Sequence, residues 1–190
     1  EEKIEMYKIS ISERMLHFKQ PAGTSRGVYT TRHSYYLHLT SDEAPGVEGV
    51  GECATLPDLS CDAKPEYEVT LRQICQMVEQ MGRIPYDMIR AYPSITFGLE
   101  TAFASFFEAA RSKHLLATHG DAAGQGTIAV PAWAQNLASL YDSPFARGEE
   151  GITINGLVWM GTYEEMLARL EEKLKAGFHC VKLKIGAIDF

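Results

Sequence analysis

The stretch Cys180-Val181-Lys182-Leu183-Lys184-Ile185-Gly186 sets two primary amines two residues apart. In an extended strand, residues at that spacing share a face, and Val181, Leu183 and Ile185 take the other. One reading is an exposed strand with a solvated lysine face, the usual place for lysine. The other is a lysine pair aimed into a pocket, where partial burial favours the neutral amine and makes it usable as a general base.

The elements upstream bear on that choice. Ile152-Thr153-Ile154-Asn155-Gly156-Leu157-Val158-Trp159 reads as a buried strand, and Met160-Gly161 turns the chain. Thr162 with Glu165 three residues on is a capping box that starts a helix. Met166, Leu167, Leu170 and Leu174 form its apolar stripe, and Gly177 stops it. Strand, amphipathic helix, strand predicts a parallel pair with a right-handed crossover. The helix must cover one face, and the Val/Leu/Ile side suits it. Both lysines are then expected on the opposite face. In a (β/α)8 barrel that face is the interior, and its C-terminal strand ends line the site. The context favours the pocket reading.

The rest of the chain precedes this unit. Residues 2–19 alternate enough to predict a first strand, which Pro21-Ala22-Gly23-Thr24-Ser25-Arg26-Gly27 is expected to interrupt as a mobile loop. Arg26 gives it one fixed cation. The loop reads either as a solvated hairpin tip or as a flexible lid whose guanidinium meets a carboxylate. Tyr29–Thr40 and Val47–Ala54 predict two further strands around a turn at residues 41–46. Gly49-Val50-Gly51-Glu52 is not a dinucleotide fingerprint, because the third glycine and the following helix are missing. Leu71, Ile74, Cys75, Val78 and Met81 predict a helix that ends at Gly82. Leu99, Phe103, Phe106, Phe107 and Ala110 predict a second, whose aromatic stripe is core. The expected organisation is an antiparallel meander plus helices over residues 1–113, an α+β capping unit. A connecting segment follows over 114–150, and the first βαβ unit of a (β/α)8 barrel over 151–190.

Composition narrows the function. The chain has 190 residues, 45% hydrophobic, with a net charge of -7. That charge argues against nucleic acid or an anionic membrane as partner. No apolar run approaches a membrane span. Cys53, Cys61, Cys75 and Cys180 lack zinc-ligand spacing and read as reduced thiols, which predicts a cytoplasmic protein. The six histidines are scattered and read as structural or surface residues.

Five segments together resemble a known family. They are Pro21–Gly27, Gly49-Val50-Gly51-Glu52, Phe97-Gly98-Leu99-Glu100, Ile154–Gly161 and Val181–Gly186. The chain resembles the enolase superfamily, and within it the o-succinylbenzoate synthase family of menaquinone biosynthesis. Lys-x-Lys marks only the lysine-bearing branch; the Gly-Thr-Ser-Arg-Gly loop with Asn-Gly-Leu-Val-Trp-Met-Gly is more specific. The resemblance implies a lyase that removes water from a cyclohexadiene carboxylate, with Mg²⁺ stabilising an enediolate. It implies Lys184 as the base, and later the acid that helps hydroxide leave, with Lys182 stabilising enediolate charge. It implies that Arg26, with Thr24 and Ser25 in its loop, closes over the pocket and selects the carboxylated tail of a small-molecule substrate. A lysine flanked by another cation favours its neutral form, which agrees with that role.

A whole barrel takes about 250 residues. The chain is therefore expected to be the first part of such an enzyme, inactive alone and without a specific Mg²⁺ site. The magnesium carboxylates and a second catalytic lysine of the family lie on later strands. Asp189 follows the lysine strand too closely to be one of those ligands. Open strand edges in the βαβ unit predict self-association or pairing with the remainder of a barrel. Two other readings remain. One is an N-acylamino acid racemase or dipeptide epimerase of the same branch; the other is a non-catalytic binding fragment.

Overall fold

The computed structural model describes residues 6–24, 27–117 and 127–185. Strands β1 (Tyr7–Thr24), β2 (Gly27–Ser41) and β3 (Gly49–Ala54) form an antiparallel meander in that order. Helices α1 (Tyr67–Met81) and α2 (Pro93–Ser112) pack on one face of it. Alternation along β2 turns Tyr35, Leu37 and Leu39 toward the helices. They meet Leu71, Ile74 and Val78 of α1, and Leu99, Phe103 and Phe106 of α2. Each large apolar side chain so buried contributes about 1.5–3 kcal/mol. Tyr7 and Trp133 both meet the Phe103 ring edge-on, at 5.0 and 4.9 Å.

The segment at residues 21–27 departs from the expected interrupting loop. β1 runs on through Thr24, and Ala22, Gly23 and Thr24 pair with Tyr29, Val28 and Gly27. A register shift between His17 and Ala22 accommodates Pro21, whose nitrogen has no hydrogen for the ladder. The pairing energy of the ladder thus overrides the local turn signals of Pro and Gly. Ser25 and Arg26 lie outside the described residues, as do residues 2–5 of the expected first strand.

The glycines of β3 let α2 approach at backbone distance. A Cβ built on Gly49 would stand 2.5 Å from the Phe106 nitrogen and 2.6 Å from its Cβ. One on Gly51 would stand 2.7 Å from the Ala102 nitrogen. Gly98 of α2 answers from the other side, against Cys53 of β3. Both glycine motifs read from the sequence therefore belong to one strand–helix contact.

The start of α2 is satisfied at long range. Its N-cap, Tyr92, offers no side-chain bond, and Pro93 takes the first position. Buried Asp62 accepts from the Ser94 backbone N–H at 2.8 Å and from its hydroxyl at 2.6 Å. Tyr67 of α1 shares a 2.6 Å bond with the same hydroxyl. Asp62→Ala is expected to lower stability by about 1–3 kcal/mol, since it strips a cap and leaves half-buried donors unpaired. Urea denaturation checks this; an unchanged midpoint would show that water replaces the carboxylate without loss.

After α2, Leu116 makes a single parallel bridge with Ile128. Ile128, and Ala134 and Ala138 from a 3-10 turn (Ala132–Ala134) and helix α3 (Gln135–Ala138), join the core around α2. A parallel pair follows, β4 (Gly156–Val158) and β5 (Val181–Leu183), joined by α4 (Tyr163–Lys175). The expected strand Ile152–Trp159 is thus shorter and less buried than its composition suggests. Ile152 and Ile154 are 61% and 69% exposed. The ladder begins at Gly156 because the facing chain is still leaving α4 through the Gly177 turn, and only from Val181 can it pair. Among the described residues, no helix is long and apolar enough to cross a membrane.

Candidate functional site

The site is built from β4, β5 and the turn between β4 and α4. The predicted capping box is present. Thr162 Oγ1 accepts from the Glu165 backbone at 3.3 Å, and Glu165 Oε2 accepts from the Thr162 backbone at 2.9 Å. Glu164 and Glu165 lie in the first turn and Lys173 and Lys175 in the last, each sign matched to its end of the helix. Of the expected stripe, Met166 is buried, while Leu167 and Leu174 are 43% and 58% exposed.

Register settles which way each side chain points. Gly156 pairs with Val181, Leu157 with Lys182 and Val158 with Leu183. Gly156 faces α4, because a Cβ there would lie 3.1 Å from Phe178 and 3.3 Å from Lys173. Val158, fully buried, shares that face. Leu157, Trp159, Lys182 and Lys184 therefore lie on the face away from α4. On the helix side Leu183 is still 48% exposed and Ile185 63%. The single helix does not cover the whole apolar side that the pattern assigns to it, because it packs against β4 rather than over β5.

The two lysines differ within this face. Lys182 is exposed, beside Leu157. Lys184 is half-buried, at the C-terminal end of β5, where its backbone N–H bonds to the Val158 carbonyl at 3.0 Å. Its Nζ stands over the Trp159 ring, 3.8 Å from the centroid. Trp159 is held from behind: Arg169 of α4 donates to the Trp159 and Met160 carbonyls, each at 3.3 Å. The Trp159 Nε1 is buried with no partner among the described residues. Neither Trp159 nor Arg169 was singled out as a functional candidate from the sequence. The signal for Trp159 was its place in Asn155-Gly156-Leu157-Val158-Trp159-Met160-Gly161.

The remaining candidates lie elsewhere. Thr24 is on the three-stranded sheet, where its hydroxyl donates to the Gly27 carbonyl at 2.9 Å. Ser25 and Arg26 fall outside the described residues. A hard cation such as Mg²⁺ needs several oxygen ligands. Among the described residues, no cluster of three or more His, Cys, Asp or Glu side chains could hold a metal ion. The described residues do not fit a magnesium site.

No family model matches the chain. A curated o-succinylbenzoate synthase from Desulfotalea psychrophila is 31% identical over 193 residues, covering 96% of this chain and 50% of that protein. The chain thus spans about half the length of the curated relative it matches. MenC from Desulfotalea psychrophila superposes with a TM-score of 0.52 at 23% identity, over 95% of this chain and 49% of that one. A substrate-liganded L-Ala-D/L-Glu epimerase from Bacillus subtilis gives 0.53 at 20% identity, over 98% and 46%. The o-succinylbenzoate synthase of Thermosynechococcus elongatus, with Mg in its active site, gives 0.51 at 20%, over 97% and 44%. The meander, its helices and the parallel pair are the N-terminal capping domain and the start of the barrel of that fold. The chain matches the N-terminal part of o-succinylbenzoate synthase and shares the fold of that part of enolase-superfamily enzymes.

Proposed function

We propose that this chain forms part of an o-succinylbenzoate synthase, a carbon–oxygen lyase acting on a cyclohexadiene carboxylate. The observation that carries the reading is a curated synthase 31% identical across 96% of the chain. The lysine face away from α4 supplies the chemistry. Lys184, as the neutral amine, takes the proton α to the carboxylate, and the C–H electron pair moves into the enediolate. Lys182, a cation on the same face, stabilises that charge. Lys184 then returns its proton to the departing hydroxide, which leaves as water as the ring becomes aromatic. Arg26, with Thr24 and Ser25, binds the carboxylated tail of the substrate. Magnesium belongs to this reading of the complete enzyme, bound by residues beyond this lysine strand. The unit over 151–190 serves as the opening of a barrel, and its uncovered apolar faces pack against further barrel elements or a second copy.

A dipeptide epimerase is the second reading, favoured by the fold shared with the Bacillus subtilis epimerase. There the lysines would serve proton transfer at the α-carbon rather than loss of water. Assay of the complete enzyme separates the two. Dehydration of the cyclohexadiene carboxylate with no epimerisation of dipeptides supports the synthase. Epimerisation without dehydration overturns it.

A further inference from the structure

We propose that Trp159 is the positioning residue of Lys184, its ring face holding the amine where it takes the α-proton and then bears the charge. The inference rests on the reading of Lys184 as a base and goes further, to a residue that the reading leaves without a role.

Three observations carry it. The Lys184 Nζ lies 3.8 Å from the centre of the indole ring, well inside the range over which a cation is attracted by a ring face. Trp159 is fixed from the opposite side by Arg169, which donates to its carbonyl and to that of Met160. The turn that follows is fixed by the Thr162–Glu165 capping box, which places the Glu165 carboxylate against Gly161. The backbone that carries the indole is thus held in place by α4 and its capping turn. Lastly, its Nε1 is buried and unpartnered among the described residues, a placement that forgoes a hydrogen bond. The indole location is therefore not explained by its own polar group, and the contact with Lys184 is what it secures.

The charges around the pair are few. Lys182 shares the strand face, and Arg169 and Glu165 come from α4 on the far side of the Trp159 backbone. Among the described residues, no carboxylate forms an ion pair with Lys184. The ring face thus takes the part that an acidic partner plays elsewhere. It holds the amine in place without presenting a carboxylate that would compete with the substrate's own. In the reaction, the proton leaves carbon for Nζ, and the new cation is stabilised on the ring until it protonates hydroxide.

Two measurements test this. In the first, the chain is reductively methylated with ¹³C, which keeps the lysine charge. The methyl signal that disappears in Lys184→Ala is expected upfield of the other lysines, through the ring current of Trp159. It should return to the common position in Trp159→Leu. A Lys184 signal already at that position in the unaltered chain overturns the contact. In the second, kcat of the complete enzyme is expected to fall about 5–30-fold in Trp159→Leu, with KM changed less than about twofold. Trp159→Phe should recover most of the loss, since a phenyl face still attracts a cation. Loss of the ring-current shift with unchanged kcat, or equal losses in the Phe and Leu variants, overturns the positioning role. Full activity in Lys184→Ala would instead refute the base assignment while leaving the contact itself intact.

Discussion

Lys184→Ala in the complete enzyme is expected to lower kcat by about 10²–10⁴-fold or more, the usual cost of removing a general base. The expectation comes from position. Lys184 directly follows β5, bonded to Val158 at the end of β4, and the C-terminal strand ends are where barrel enzymes hold their reacting groups. Leu157 and Trp159 share its face and cannot accept a proton. Lys182 can, but it lies two residues back along the strand, beside Leu157. Lys182→Ala should also be severe, through loss of charge stabilisation. Because that charge exists only after proton removal, kcat should suffer more than KM. Near-normal turnover in Lys184→Ala would overturn its assignment as the base. Normal turnover in Lys182→Ala would confine the chemistry to one amine.

Much of this was legible in the sequence because it depends on neighbours. Thr162 and Glu165 are three residues apart, so their mutual capping could be read from spacing alone. Gly82, at φ 63°, stops α1 where the apolar period ends. The aromatic stripe of α2 is core, with Phe103, Phe106 and Phe107 fully buried. The lysine face followed from alternation once the helix had been placed between two strands.

What was illegible depends on residues far apart in the chain. Lys184 meets Trp159 only because Leu157 pairs with Lys182, a register that no local pattern specifies. Asp62 caps α2 from outside the helix, so the capping rules, which look at the residues just before it, could not find it. The turn signals of Pro21 and Gly23 were real locally, but fourteen matched positions in the β1–β2 register outweigh them. The apolar character of Ile152 and Ile154 announced burial that the described elements do not provide. Composition reports what a side chain prefers, and pairing partners decide what it gets.

Gly51→Ala is expected to destabilise the fold by about 3 kcal/mol or more, as overpacking against atoms that cannot yield. The added methyl would press on the Gly98 carbonyl and stand 2.7 Å from the Ala102 nitrogen, both main-chain atoms of α2. A flexible side chain could swing away from such a clash, whereas these atoms move only if the helix lifts off the sheet. Lifting it would uncover Leu99, Phe103 and Phe106, none of which is exposed in the native state. Gly98→Ala should act alike from the other side, against the buried Cys53 sulfur. Gly23→Ala is the internal control, since nothing lies within 4 Å of a Cβ there. Its effect should stay within about 1 kcal/mol. Urea midpoints of the three variants decide the matter. If Gly51→Ala unfolds with the midpoint of Gly23→Ala, then α2 can retreat without cost, and the glycines of β3 serve something other than close packing.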